Sequence, residues 1–169
     1  MSSTSPTNVP GYFKIYTSQV AEKDLVTAFS NQSQLIKELL SSINEEKSIY
    51  AYAPGKWTLK EVLQHLIDAE RIFCYRAMCF ARKEGAILPS FDENEYATNS
   101  LANNRSWQSI LDEFVAVRRS TLFLFDSFSA DMLATVGKAG SNTLSVEEIG
   151  FITIGHFTHH CKIIRERYL

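Results

Sequence analysis

The sequence predicts an all-α protein, a four-helix bundle. Three observations carry this. Four stretches of roughly twenty residues or more place apolar side chains every three to four positions, two of them open with a complete capping signal, and no period-two alternation runs for more than a few residues. At 169 residues the chain is long enough for one domain that buries most of its apolar surface. The polar opening MSSTSPTNVP makes residues 1–11 a flexible N-terminal tail, leaving 12–169 as the single folded domain.

The elements follow in order. PGYFKIYTS, from Pro10, reads as an extended or irregular lead-in. A first helix is expected over roughly 20–43, on the spacing of Leu25, Phe29, Ile36, Leu39, Leu40 and Ile43. Its interior is weakened by Ser30, Asn31 and Ser33, which are poor helix formers. Pro54-Gly55 supplies a turn, and a second helix is expected over about 58–83. Its start is the clearest in the chain: Thr58 and Glu61 form a capping box, with Trp57 and Val62 as a hydrophobic staple. Val62, His65, Leu66, Ala69, Ile72 and Phe73 share one face.

The next connection, about 84–104 with GAILPSFDENEYA, is long for a bundle. Roughly 20 extended residues reach on the order of 60 Å against about 38 Å for a 25-residue helix, so the chain can return along the bundle and helices two and three can run parallel. A third helix, about 106–128, buries Ile110, Leu111, Phe114, Val117, Thr121, Leu124, Phe125 and Phe128. The fourth, about 145–167, starts with a second capping box, Ser145 and Glu148, stapled by Leu144 and Ile149. Ile149, Ile152, His156, His160 and Ile163 lie along one stripe of it.

Composition narrows the function. Lys and Arg total 17 against 19 for Asp and Glu, a net charge of −2, so no long-range attraction to nucleic acid is expected. No run approaches the roughly 18 apolar residues that span a bilayer, and the opening residues lack the basic and apolar regions of a secretory signal. The expectation is a cytoplasmic chain without membrane contact. Cys74, Cys79 and Cys161 are odd in number and have no C-x-x-C spacing, which fits reduced thiols.

The chemistry concentrates in histidine. His156 and His160 are one helical turn apart, about 40° around the axis with Cβ atoms on the order of 6 Å apart, a spacing that lets two imidazoles chelate one ion. A third ligand must come from another helix, and His65 is the remaining histidine outside this segment. His159 can pair with His156 at i,i+3 but is rotated about 100° from His160, which assigns it to the rim of a site. The alternative on spacing alone is three hydrogen-bonded core histidines.

PGKWTLKEVLQHLIDAERIF, LPSFDENEYA and GHFTHH-x-x-x-IRERYL together resemble the DinB-like superfamily of proposed metalloenzymes, also called DinB/YfiT, over nearly the whole chain from about Tyr12. The resemblance implies an up-down-down-up four-helix bundle. It also implies a metal triad of His65, His156 and His160, nickel or zinc as the divalent ion, and a homodimer.

Three neutral imidazoles leave a cation's charge intact and at least one coordination position open, as in catalytic rather than structural sites. Two activities then follow from the resemblance: a metal-dependent hydrolase, or an S-transferase using a low-molecular-weight thiol, each with a small-molecule substrate. A non-catalytic metal-binding module of the stress response and a purely structural bundle are the competing readings. Among nearby polar groups, Asp68 reads as a solvated flank carboxylate, with imidazole orientation or general-base work as its alternative. Glu70 and Arg71 read as surface or loop-tethering groups. Arg76 is expected to pair with Asp92 or Glu93, and Tyr12, Tyr16, Tyr50 and Tyr52 to pack under loops.

Overall fold

A computed structural model describes residues 9–169, with the side chains of Ser33, Gln34, Leu35 and Lys37 excepted. Most of the expected tail, residues 1–8, lies outside this part. The rest of it is packed: Val9 is buried, and the helix α1 (Gly11–Thr17) begins just after it. The extended lead-in expected here is therefore helical. Phe13, Tyr16 and Thr17 fall at i, i+3 and i+4 and face inward, so packing on the last helix overrides the strand preference of Tyr, Phe and Ile.

The long helices α2 (Leu25–Ser41), α4 (Leu59–Ala81), α6 (Trp107–Asp126) and α8 (Val146–Arg167) form the bundle. α2 starts later than its apolar spacing suggests because Asp24 caps it, accepting from Thr27 N–H at 2.9 Å. Both capping boxes form. Thr58 N–H donates to Glu61 Oε2 at 2.8 Å while Glu61 N–H donates to Thr58 Oγ1 at 3.2 Å, and Ser145 with Glu148 repeats the exchange at 2.7 and 3.1 Å. A single turn, α3 (Glu45–Ser48), precedes α4.

The connections carry more structure than their composition suggests. The segment after α4 contains α5 (Glu93–Asn99), capped by Asp92, and a 3-10 turn at Ala102–Asn104. Between α6 and α8 lie α7 (Ala130–Leu133) and a hairpin of β1 (Val136–Ala139) and β2 (Asn142–Ser145), antiparallel with Gly137 opposite Leu144 and Gly140 turning at φ +57°. Leu88 bridges this hairpin: its N–H donates to Lys138 O at 3.0 Å and its carbonyl accepts from Gly140 N–H at 2.8 Å. The long connection is thus pinned to the hairpin.

α4 packs on both α6 and α8, and α8 also contacts α1 and α2. One part of the core joins Leu59, Leu63 and Ile67 to Ile110, Phe114 and Phe157, whose two rings stack at 5.3 Å. A second joins Phe29, Phe80, Val146, Ile149 and Phe151. Because α4 has neighbours on two sides, Glu70 is buried rather than at the surface. Its carboxylate lies 2.8 Å from Arg118 Nη2 and accepts from Thr121 Oγ1 at 2.6 Å. Arg118 also donates to Gln32 Oε1 at 2.6 Å, and its guanidinium carbon lies 5.4–5.6 Å from the rings of Phe29, Phe114 and Phe157. Among the described residues no helix is long and apolar enough to cross a membrane.

Candidate metal centre and its cleft

His65 comes from the second turn of α4, and His156 and His160 from the middle turns of α8. The stripe positions that turn apolar residues inward turn these rings inward too: His65 and His156 are buried and His160 is half-buried. The ring of His65 lies 4.9 Å from that of His156 and 5.0 Å from that of His160, and the latter two are 4.7 Å apart between centroids. One ligand nitrogen from each falls within 4.8 Å of the others. The three residues that the spacing nominated do converge.

The donor set fits a divalent cation. His65 Nε2 and His156 Nε2 stand 3.0 Å apart. Two nitrogens bound at about 2.1 Å to one ion at a right angle also stand about 3.0 Å apart, and at a tetrahedral angle about 3.4 Å. The ligand nitrogens of all three lie within 4.8 Å of one another. Burial disfavours the imidazolium, pushing His65 down to about 4 and His160 down to about 3 from an ordinary 6.5. His156 is held well below the ordinary value, by burial first and then by its histidine neighbours. All three are neutral at pH 7, so their lone pairs are free of protons.

Aromatic rings hold the imidazoles in place. Trp57 lies 4.9 Å from His65, Phe73 5.8 Å from His156, and Tyr16 meets His156 edge-on at 5.1 Å. Tyr16 reaches that position because Gly155 lets α1 approach α8 backbone to backbone; a Cβ there would stand 2.2 Å from the Tyr16 carbonyl oxygen. Burial raises the Tyr16 phenol above its ordinary value, and its hydroxyl lies 3.4 Å from that of Tyr12. Tyr12 and Tyr16 therefore line the site rather than lying under a remote loop.

The centre opens onto a cleft of about 550 Å³, within the size range of small-molecule sites. Tyr12, Tyr16, Trp57 and Phe73 line it, together with Phe91 and Glu93 from the long connection and Ala139 and Asn142 from the hairpin. His159 is on the rim as expected, its Nδ1 3.3 Å from Gln19 Nε2. Asp68 faces elsewhere: it accepts from Gln64 at 3.0 Å and lies near Arg71, which agrees with a flank carboxylate. Arg76 does not pair with Asp92 or Glu93. Its Nη2 donates instead to Pro89 O at 2.7 Å, and the guanidinium lies 5.8 Å from the Phe91 ring, because the connection presents a carbonyl and a ring at that point of α4. Cys161 is buried off the histidine stripe, and burial pushes its thiol up to about 12.

Fold and site together define a helical-bundle protein with three converging imidazoles at the base of an aromatic cleft. The chain belongs to the DinB superfamily, whose family model matches residues 28–164. It is similar in structure to YfiT from Bacillus subtilis, described as a probable metal-dependent hydrolase with an unusual four-helix bundle topology. That likeness has a TM-score of 0.72 at 13% identity and covers 96% of this chain and 90% of that one. It is also similar to a mycothiol-dependent maleylpyruvate isomerase, with a TM-score of 0.69 at 11% identity. There the match covers 82% of this chain but 58% of the isomerase, so this chain spans little more than half the length of that enzyme. At these identities the likeness is one of fold. No curated protein matches the chain.

Proposed function

We propose that the protein binds one divalent metal ion, nickel or zinc, through His65, His156 and His160, and acts on a small molecule as a metal-dependent hydrolase. The observation that carries this reading is the convergence of three neutral imidazoles, with ligand nitrogens within 4.8 Å of one another, at the base of a cleft. The same reading takes the four long helices in up-down-down-up order and the working unit as a homodimer, as the family likeness suggests. An ion held by three neutral ligands keeps its full charge and acts as a Lewis acid toward an oxygen or sulfur nucleophile and a substrate carbonyl.

The protein's own groups do the rest. Trp57 and Phe73 shield the imidazoles from water and fix their rings. The Gln19 amide donates to His159 Nδ1, which leaves His159 Nε2 bearing the proton, a donor for negative charge that develops on a substrate in the cleft. No described carboxylate is grouped with the three imidazoles, so an acid–base role falls to the rim residues His159 and Glu93.

A thiol-dependent S-transferase is the second reading, favoured by the likeness in fold to an isomerase that depends on mycothiol. Metal analysis of the purified protein beside His156→Ala tests the common part: one tightly held Ni or Zn per chain, lost in the variant, is expected. Absence of uptake returns the histidines to a structural role. Turnover of ester and amide substrates against thiol–electrophile pairs then separates hydrolase from transferase, and metal uptake without turnover of either leaves a non-catalytic module of the stress response.

A further inference from the structure

Arg76 is a buried cation with almost nothing bound to it. It is 7% exposed, yet among the described residues no carboxylate lies within ion-pair distance of it, and one of its five N–H groups has a protein partner, the donor to Pro89 O at 2.7 Å. Burial lowers its pKa, and no acid offsets the effect. Buried charges are ordinarily paired, because taking a charge out of water is costly. The buried Arg118 of this same chain meets that rule with Glu70, and Arg76 does not. Its guanidinium lines the cleft that holds the three imidazoles.

The geometry of α4 connects the two. His65, Ala69, Phe73 and Arg76 follow one another at intervals of four, four and three, so they share one helix face, and all four line the cleft. The Cα atoms of His65 and Arg76 are separated by eleven residues, about 16 Å along the axis, a span that an arginine side chain and an elongated ligand cover together. Ala69 between them presents a methyl group and leaves room, while Phe73 and Phe91 provide apolar walls.

We infer that Arg76 is an anion-recognition residue that selects substrates with a carboxylate at one end of an apolar body, the other end reaching the imidazoles. This rests on the proposed site as the place of reaction. A guanidinium with free N–H groups accepts a planar carboxylate on two parallel bonds. Glu93 lines the same cleft, and its negative charge disfavours the doubly charged phosphate more than a singly charged carboxylate. The Pro89 carbonyl holds the guanidinium in place before a ligand arrives, and the remaining N–H groups, open to the cleft, lose their water without gaining an acceptor when an uncharged analogue covers them.

The test uses the full chain, with and without bound zinc, and three probes of equal length: 6-phenylhexanoate, 6-phenylhexanol and 6-phenylhexyl phosphate. Calorimetry should show the carboxylate binding about tenfold or more tighter than the alcohol, and tighter than the phosphate. The preference should vanish in Arg76→Gln and persist in Arg82→Gln, which removes a positive charge from the exposed end of the same helix, outside the cleft. Should Arg76→Gln fail to fold, the Arg76 Nε–H resonance of the wild-type protein gives the answer: it must move on adding the carboxylate and stay in place with the alcohol. Equal binding of acid and alcohol, tighter binding of the phosphate, or a preference that survives in folded Arg76→Gln overturns the inference. A carboxylate preference retained in His156→Ala that no longer takes up zinc keeps the two questions separate. The metal reading can then fail on metal analysis while the anion subsite stands, and the reverse holds if zinc binds without any such preference.

Discussion

Replacing Gly155 by alanine tests how α1 closes the site. In a helix interior the change alone stabilises by up to about 1 kcal/mol. Here the new Cβ would meet Tyr16 backbone atoms: the carbonyl oxygen at 2.2 Å, the carbonyl carbon at 2.4 Å and the Cα at 3.0 Å. None of these can rotate aside as a flexible side chain does, so α1 must retreat by about 1 Å to restore ordinary contact. Overpacking of this kind costs about 1–3 kcal/mol. The retreat also exposes part of Val9, Phe13 and Tyr16, each worth about 1.5–3 kcal/mol when fully buried. The contact terms exceed the helix-propensity gain, and a net loss of about 1–3 kcal/mol lowers Tm by roughly 3–10 °C in a domain of this size. Scanning calorimetry of the metal-free protein reads this directly. Because Tyr16 meets the His156 ring at 5.1 Å, zinc affinity should fall as well, by about tenfold, when that support moves. An unchanged or raised Tm with wild-type zinc affinity would refute the close approach of α1 to α8.

Other consequences are open to measurement. Glu70→Ala strands the buried Arg118 charge and should cost about 3–5 kcal/mol in urea unfolding, whereas Glu70→Leu combined with Arg118→Met should recover most of it; equal losses in the two would rule out a charge effect. The metal-free protein should lose stability as pH falls. His65 and His160 titrate near 4 and 3 when folded against 6.5 unfolded, so the unfolded chain takes protons first. Their contribution is then complete above about pH 6.5 and declines steadily toward pH 4, and a flat profile over that window would contradict the burial of the rings. Burial pushes Cys74 up to about 11 and Cys161 up to about 12, so iodoacetamide at pH 8 should label both far more slowly in the folded protein than in urea, as followed by mass spectrometry. Thr58→Ala removes the cap of α4 and should cost about 1 kcal/mol.

The four long helices and the three histidines were legible because they depend on local rules. Capping boxes at Thr58 and Ser145 mark helix starts through bonds within one turn, and a histidine on an apolar stripe must point where its neighbours point. What escaped the sequence depends on contacts between distant segments. α1 is rich in residues that favour strands and becomes helical through packing on α8, to which Gly155 is the only sequence clue, and a lone glycine in a helix is ambiguous. The hairpin at 136–145 is short, and its tie to Leu88 joins segments about fifty positions apart. Glu70 looked exposed because a stripe analysis allows α4 one buried face, whereas α6 and α8 bury two. A stripe arginine facing an acidic connection predicts an acidic partner for Arg76, and the connection brings a carbonyl and an aromatic ring to it instead.

The bridge between Leu88 and Ala139 has a broader implication for the architecture. It couples two excursions that leave the bundle at different points and makes them a single outer wall, while the imidazoles belong to helices with their own core. Insertions or exchanges in that wall would reshape the entrance and leave the seat of the histidines intact. A scaffold divided in this way can diversify its ligands by editing a rim, and the first places to look for such divergence are positions 85–92 and 137–143.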